Sequence, residues 1–317
     1  MKTSFIGSIH QVTAAQWNGL CADSYPFLRH EFLAALEDSG STSAATGWQP
    51  SHLLVHDAGE LVAAMPLYEK NHSYGEYVFD WSWADAWERT GRAYYPKLLS
   101  AVPFTPATGP RLLTQASTAT LLPGITAAIK AEAQKRGASS WHCLFPPAQD
   151  CHSLAELGIS RRLGCQFHWF NQGFSGFEDF LATFTSRKRK AVKKERRRVA
   201  EQGIELTVKT GAQVSAEEWQ IFYQLYHLTY FKRSGRQGYL GEDFFLRLAE
   251  SMPESLVMVI AYHQGEMIAA ALNLRDDDTL YGRYWGSDQQ FDLLHFEACY
   301  YQGIAYCIDH GLTCFNP

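Results

Sequence analysis

Two stretches of the chain carry one hydrophobic pattern. His56-Asp-Ala-Gly-Glu-Leu-Val-Ala-Ala-Met65 aligns without gaps on Tyr262-His-Gln-Gly-Glu-Met-Ile-Ala-Ala-Ala271, at an offset of 206 residues. In each, an apolar run (His52 to His56; Leu256 to Tyr262) passes through a tight Gly-containing turn into a second apolar run (Leu61 to Tyr68; Met267 to Leu274), the signature of a β-hairpin. A short amphipathic helix precedes each hairpin, Pro26 to Glu37 and Glu242 to Met252. An aromatic strand, a helix and a further strand follow: Tyr74 to Trp83, Leu121 to Arg136 and Ser140 to Phe145 in the first copy, and Leu280 to Trp285, His295 to His310 and Leu312 to Phe315 in the second. Two hairpins could coincide by chance, but the shared element order argues for two α/β copies of one unit with mixed sheets. The predicted domains are 1–170 and 171–317.

Charge changes the picture most at the start of the second copy. Nine of the twelve residues from Arg187 to Arg198 are cationic, in a chain whose formal net charge is −5. That stretch takes nine of the 28 basic residues and one of the 33 acidic ones, leaving 19 against 32 elsewhere. Ser175-Gly-Phe-Glu178 has the form of a capping box and Gly203 suits a C-terminal stop, so Phe177 to Gln202 reads as one helix or two consecutive ones. Phe180, Leu181, Phe184, Ala191, Val192 and Val199 form its buried seam. Solvation alone explains many charged helix faces. Here only Glu195 interrupts the cations, so the alternation that stabilises an exposed helix is missing, and a polyanion, a phosphate or an anionic membrane surface is the expected partner.

With 317 residues, 46% of them hydrophobic, the chain can bury a sizeable core. No stretch reaches the roughly 18–20 apolar residues of a transmembrane helix, and none at the amino terminus reads as a secretory signal, so a cytoplasmic location is expected. Seven cysteines without a Cys-x-x-Cys pair fit reduced thiols. His142-Cys143 and Cys151-His152 match no usual metal knuckle, and no metal is expected.

The element order, together with particular segments, resembles a known superfamily. Helix, antiparallel hairpin, strand, helix, strand is the order of the GNAT (acyl-CoA N-acyltransferase-like) fold, and tandem GNAT-like domains resemble the Fem-type aminoacyltransferases of peptidoglycan cross-bridge synthesis. Phe180-Leu-Ala-Thr-Phe-Thr-Ser-Arg-Lys-Arg-Lys-Ala-Val-Lys-Lys194 is similar to the helix opening the second Fem domain, and Leu294 to Gly311 to its late helix. His72-Ser-Tyr-Gly-Glu-Tyr-Val-Phe-Asp-Trp-Ser-Trp-Ala84 and Pro103 to Leu113 resemble the Fem-like peptidoglycan biosynthesis/recognition family. The resemblance implies an acyl- or aminoacyltransferase acting on a cell-envelope precursor. It also implies that Arg187, Lys188, Arg189 and Lys190 hold phosphates of a nucleotide-linked muropeptide or of tRNA. Relatives continue past the position of Pro317, so the second domain is expected to be shortened.

One departure bears on the donor. Acyl-CoA enzymes of this fold carry a glycine-rich loop after the fourth strand whose N–H groups hold a pyrophosphate. Here that place reads Gly286-Ser-Asp-Gln-Gln-Phe-Asp-Leu-Leu-His295, with two aspartates and no glycine turn. That lowers acyl-CoA as donor without removing it, and agrees with the aminoacyl-tRNA donor that the Fem-type resemblance implies; acyl-CoA stays the alternative, with no tightly bound cofactor. A non-catalytic tRNA- or muropeptide-binding protein of the same fold is the competing class.

Acyl transfer to an amine needs proton traffic. Asp80 and Asp85 lie among tryptophans, where desolvation would raise a carboxyl pKa toward that of a base, although a structural carboxylate accepting N–H bonds explains them equally. His295 and Glu297 open the late helix at the mouth of the expected cleft. Glu297 has a ready explanation in the helix dipole, and His295 in a satisfied structural ring. Arg283, Tyr284 and Trp285, ending the preceding strand, complete the predicted substrate contacts. Tyr223, Tyr226 and Tyr230 are expected to pack.

Overall fold

A computed structural model describes residues 1–21 and 23–317. They divide into two units, Met1–Gly164 and Cys165–Pro317, each built on its own sheets.

The first unit runs β1 (Lys2–Ile6), α1 (Ala14–Asn18), α2 (His30–Asp38), β2 (Trp48–Pro50), β3 (His52–Asp57), β4 (Glu60–Met65), β5 (Tyr68–Lys70), α3 (Trp81–Glu88), β6 (Lys97–Ser100), β7 (Leu113–Thr114), α4 (Thr118–Arg136), β8 (Trp141–Cys143) and α5 (Ala148–Glu156). Its strands form two sheets, ordered β1-β3-β4-β7 and β2-β5-β6-β8, with β6 and β8 parallel. Pro66 lies between β4 and β5, where a residue without an N–H cannot continue the ladder. Leu121, Leu122, Ile125 and Ile129 of α4 pack on Leu53, Val55, Ala63 and Met65 of the hairpin to form the core.

The second unit runs β9 (Trp169–Phe170), α6 (Phe177–Ala182), α7 (Ser186–Glu201), β10 (Ile204–Thr210), α8 (Ala216–Ser234), α9 (Glu242–Ser251), β11 (Leu256–His263), β12 (Glu266–Arg275), β13 (Thr279–Ser287), α10 (Leu294–Phe296), a π-helical turn over Glu297–Tyr301, α11 (Gln302–Asp309) and β14 (Cys314–Asn316). One six-stranded sheet joins them in the order β10-β11-β12-β13-β14-β9. Because β9 pairs with β14, the division between units falls after Gly164, whereas the sequence suggested residue 170.

The two hairpins match down to their irregularities. Ala58-Gly59 joins β3 to β4 and Gln264-Gly265 joins β11 to β12; all four residues have positive φ, between 49° and 94°. Two left-handed residues in succession give the turn whose twist suits a two-residue hairpin, and glycine takes the second at no steric cost. Each hairpin is bulged at the equivalent step, Val55/His56 and Ala261/Tyr262. Each unit also pairs its last strand in parallel with an earlier one, β8 with β6 and β14 with β13. The chain is a mixed α/β protein of two units, each with mixed strand pairing.

Two local expectations fail. Tyr74 to Trp83 is not a strand. Gly75, Tyr77 and Phe79 have φ of 80°, 59° and 51°, which no extended chain accommodates, and Trp81 onward is helix α3. The strand in that place is β6, begun by Lys97. Ser175 does not cap α6; its backbone N–H and hydroxyl donate to Asp179, and Gly176 is the capping residue. The basic segment is two helices, with Thr185 capping the second through a bond from the Lys188 N–H.

Candidate functional site

The charges of α7 fall into two sets. In its later turns, Lys193 pairs with Glu178, Arg197 with Glu201, Arg198 with Asp292 at 2.7 Å, and Arg196 with Glu297. Arg187, Lys188, Arg189 and Lys190 in the first turns form no ion pair among the described residues, and the first turn holds no acidic residue. Three of these four are exposed and Arg189 is half-buried. A helix carries partial positive charge at its amino end, so four cations there oppose the dipole and one another. Such a placement costs stability unless an anion completes it, and the free N–H groups of the first turn point the same way.

Glu297 is buried at 3% exposure. It accepts two bonds from Arg196 Nε, both 3.1 Å, one from Arg196 Nη2 at 2.9 Å and one from Gln302 Nε2 at 2.7 Å. Its oxygens tie α7 to the π-helical turn, so it stands as a positioning carboxylate and not as a free acid or base. His295, two residues earlier, lies at the surface with its ring edge-on to Trp285 (centroids 5.3 Å apart) and Tyr300. Partial desolvation of the ring by these aromatic neighbours, then the nearby Arg233, hold its pKa below the usual histidine value, which favours the neutral imidazole at pH 7.

Strand β13 separates the three residues predicted at its end. Tyr284 is buried against Tyr226 of α8 and Phe245 of α9, whereas Arg283 and Trp285 are half-buried and Trp285 meets His295. The alternation of a strand puts Tyr284 on the other face, so it does not join a common site with them. Arg283 is the extra residue of a bulge: Leu272 pairs with Tyr284 and Asn273 with Gly282. Bulges re-aim a side chain, and here Arg283 Nη2 donates to Asn316 Oδ1 at 3.3 Å. β14 pairs with β13 only over Thr279–Tyr281, and among the described residues no strand covers that edge further on. Tyr226 packs as expected, with Gly286 so close to the α8 backbone that a side chain there would displace the helix.

Asp80 is not the raised-pKa base suggested by its aromatic neighbours. It is buried at the start of α3, where Lys97 Nζ donates to it at 2.8 Å and the Tyr94 hydroxyl at 2.7 Å. Burial pulls its pKa up, but the bonds from Lys97, Ser73 and Tyr94 and the Lys97 charge outweigh that and hold it at about 2. Asp85 is exposed on α3.

Sequence reasoning missed the partner of Asp80 altogether. Lys97 and Lys70 are directly opposite each other on β6 and β5, and both are fully buried. Lys97 also donates to Glu76 and Ser73, each at 2.8 Å. Lys70 sits 3.7 Å over the Trp48 ring and donates to the Tyr74 carbonyl. Only the cross-strand register brings these groups together, and the sequence around Lys97 gives no signal of it. Burial lowers the Lys70 pKa to about 7 and raises that of Glu76.

The Lys70 shift has a pH signature. A lysine with a depressed folded pKa is bound to more protons in the unfolded chain between pH 7 and roughly 10.4, so it makes stability rise with pH across that window. The stability of the native protein relative to Lys70→Met is expected to increase between pH 7 and pH 10, as urea midpoints at both pH values will register. A constant difference would mean that Lys70 is charged throughout.

The sequence matches the FemAB-like family, described as peptidoglycan biosynthesis/recognition, over residues 8–317, and the chain belongs to that family. No protein of curated function matches it. Among solved structures, FemX shares the fold at 12% identity and a TM-score of 0.55, over 99% of this chain and 88% of that one. A conserved protein of unknown function from Bacteroides thetaiotaomicron gives 12% and 0.55, over 100% and 90%. L-PGS from Bacillus licheniformis gives 14% and 0.53, over 94% and 76%. Among the described residues no helix is long and apolar enough to cross a membrane.

Proposed function

We propose that the chain is an aminoacyltransferase of the cytoplasm that moves an acyl group from an ester donor to an amine of a peptidoglycan precursor. The unpaired cations Arg187, Lys188, Arg189 and Lys190 carry the reading: a set of charges placed against the helix dipole fits phosphates of tRNA or of a nucleotide-linked muropeptide. Family membership supplies the cell-wall context.

In the proposed step a neutral amine nitrogen attacks the ester carbonyl carbon. A C–N bond forms, the C–O bond to the ribose breaks, and the proton lost by nitrogen ends on the departing ribose oxygen. His295, neutral and at the surface beside Trp285, is the proton carrier proposed here. Arg283, placed on a bulge where β13 leaves its partner, is the proposed contact for the carbonyl side of the substrate.

Aminoacyl-tRNA is favoured over acyl-CoA as donor because the segment after β13 suits a diphosphate poorly. Its Asp292 faces Arg198, Lys232 donates to the Asp288 carbonyl, and Leu293 takes a left-handed conformation before α10. The test supplies the protein with a nucleotide-linked muropeptide and either radiolabelled aminoacyl-tRNA or acetyl-CoA. Label from the tRNA alone should reach the muropeptide amine, and His295→Ala should lower turnover by about 10²–10⁴-fold without weakening tRNA binding. Label from acetyl-CoA alone would replace this donor, and binding without any transfer would make the chain a binding protein.

A further inference from the structure

A cavity of about 500 Å³ opens among α6, α7, β10 and the π-helical turn, away from the first turns of α7. Its volume lies within the range of small-molecule sites. Phe177 and Leu181 of α6 and Ile204 and Leu206 of β10 give it an apolar floor and walls. Ala200 adds no bulk to the helix side. Lys193, Arg196 and Arg197 line the cavity from one face of α7, at the three- and four-residue spacing that places side chains together.

These cations differ in how firmly they are held. Arg196 is forked onto buried Glu297, and its guanidinium lies 4.3 Å over the Phe177 ring, so it is part of the wall. Lys193 and Arg197 pair with Glu178 and Glu201, whose side chains are 72% and 64% exposed. Exposed pairs of this kind are worth between nothing and about fivefold in an equilibrium, so an incoming anion can displace either carboxylate. β10 is the edge of the sheet, which leaves the cavity open on that side. π-helical turns recur at functional sites, and this one carries Glu297 into the cavity wall.

We propose that this cavity binds a single-chain amphiphile with an anionic head, the hydrocarbon lying on Phe177 and Leu206 and the carboxylate or phosphate meeting Lys193 and Arg197. The site is separate from the phosphate contacts proposed for Arg187 to Lys190 and stands whether or not that reading does.

Calorimetric titration of the full chain with octanoate, decanoate, decyl phosphate and decanol, each below its micellar concentration, tests it. Affinity should rise about fourfold for each methylene added from octanoate to decanoate. Both decyl anions should bind at least tenfold tighter than decanol. The preferred head, carboxylate or phosphate, then assigns the source as a fatty acid or a phospholipid-like monoester. Lys193→Gln with Arg197→Gln should bring the anions down to the decanol level and leave decanol unchanged. Leu206→Trp, which fills the cavity from a half-buried edge position, should abolish binding of all probes, with an unaltered melting temperature showing that the fold persists. Anion affinity unchanged in the double variant, binding unchanged in Leu206→Trp, or no binding by the native chain would each overturn the proposal.

Discussion

Lys97→Met should destabilise the first unit by about 3–5 kcal/mol at pH 7, the cost of leaving buried charges without their partner. The lysine ammonium is the hub of Glu76, Asp80 and Ser73, with no exposed surface of its own. Methionine fills similar volume but supplies no donor. Glu76 and Asp80 must then remain charged in an apolar setting or take up protons. The loss therefore depends on pH in a defined direction. In the native protein Asp80 has a depressed pKa, and its contribution is present above the unfolded value near 3.9 and disappears as pH falls toward 2. In the variant the same carboxylate is shifted upward, so the variant loses stability as pH rises. The gap between the two proteins should be small at pH 4 and wide at pH 7. Glu76→Gln and Asp80→Asn added to Lys97→Met should recover part of it. Urea unfolding followed at both pH values decides the matter; a difference below about 1 kcal/mol at pH 7 would mean that the cluster does not hold α3 in place.

Glu297→Gln is expected to cost the second unit about 2 kcal/mol and to loosen α7 specifically. The amide keeps the shape but removes the charge that Arg196 grips with two nitrogens, and hydrogen bonds to charged groups are the costly ones to lose. Arg196 is 30% exposed, so water recovers part of its solvation and the loss stays below that at Lys97. Amide exchange in α7 should accelerate while that in β11 and β12 holds. If α7 keeps its protection and only turnover falls, Glu297 is a reacting group and the positioning role assigned to it is wrong.

The repeat was the most legible part of the fold. Gly59 and Gly265 mark turns that only left-handed residues can make, and the equal spacing of the apolar runs follows from strands packed under a helix in both units. The aromatic segment from Tyr74 misled because its residues favour strands, while its left-handed turns and the buried anchor of Asp80 are set by tertiary contacts. Of the candidate site, the cationic helix could be read directly, since charge is written in the sequence. Its division into paired and unpaired halves could not, because Glu297 and Asp292 lie about a hundred residues away in the chain. The opposed lysines 70 and 97 were invisible for the same reason: a register, not a motif, brings them together.

The proposed chemistry needs the first turns of α7 to hold a polyanionic donor. Fluorescence anisotropy of labelled bacterial tRNA over a salt series, with the native chain and with Arg187, Lys188, Arg189 and Lys190 changed to Gln, tests it most directly. The native chain should bind with an affinity that falls steeply with salt, and the variant's slope should be shallower by about one logarithmic unit for each phosphate that the four side chains neutralise. Equal slopes in the two proteins, or no binding by the native chain at low salt, would contradict it.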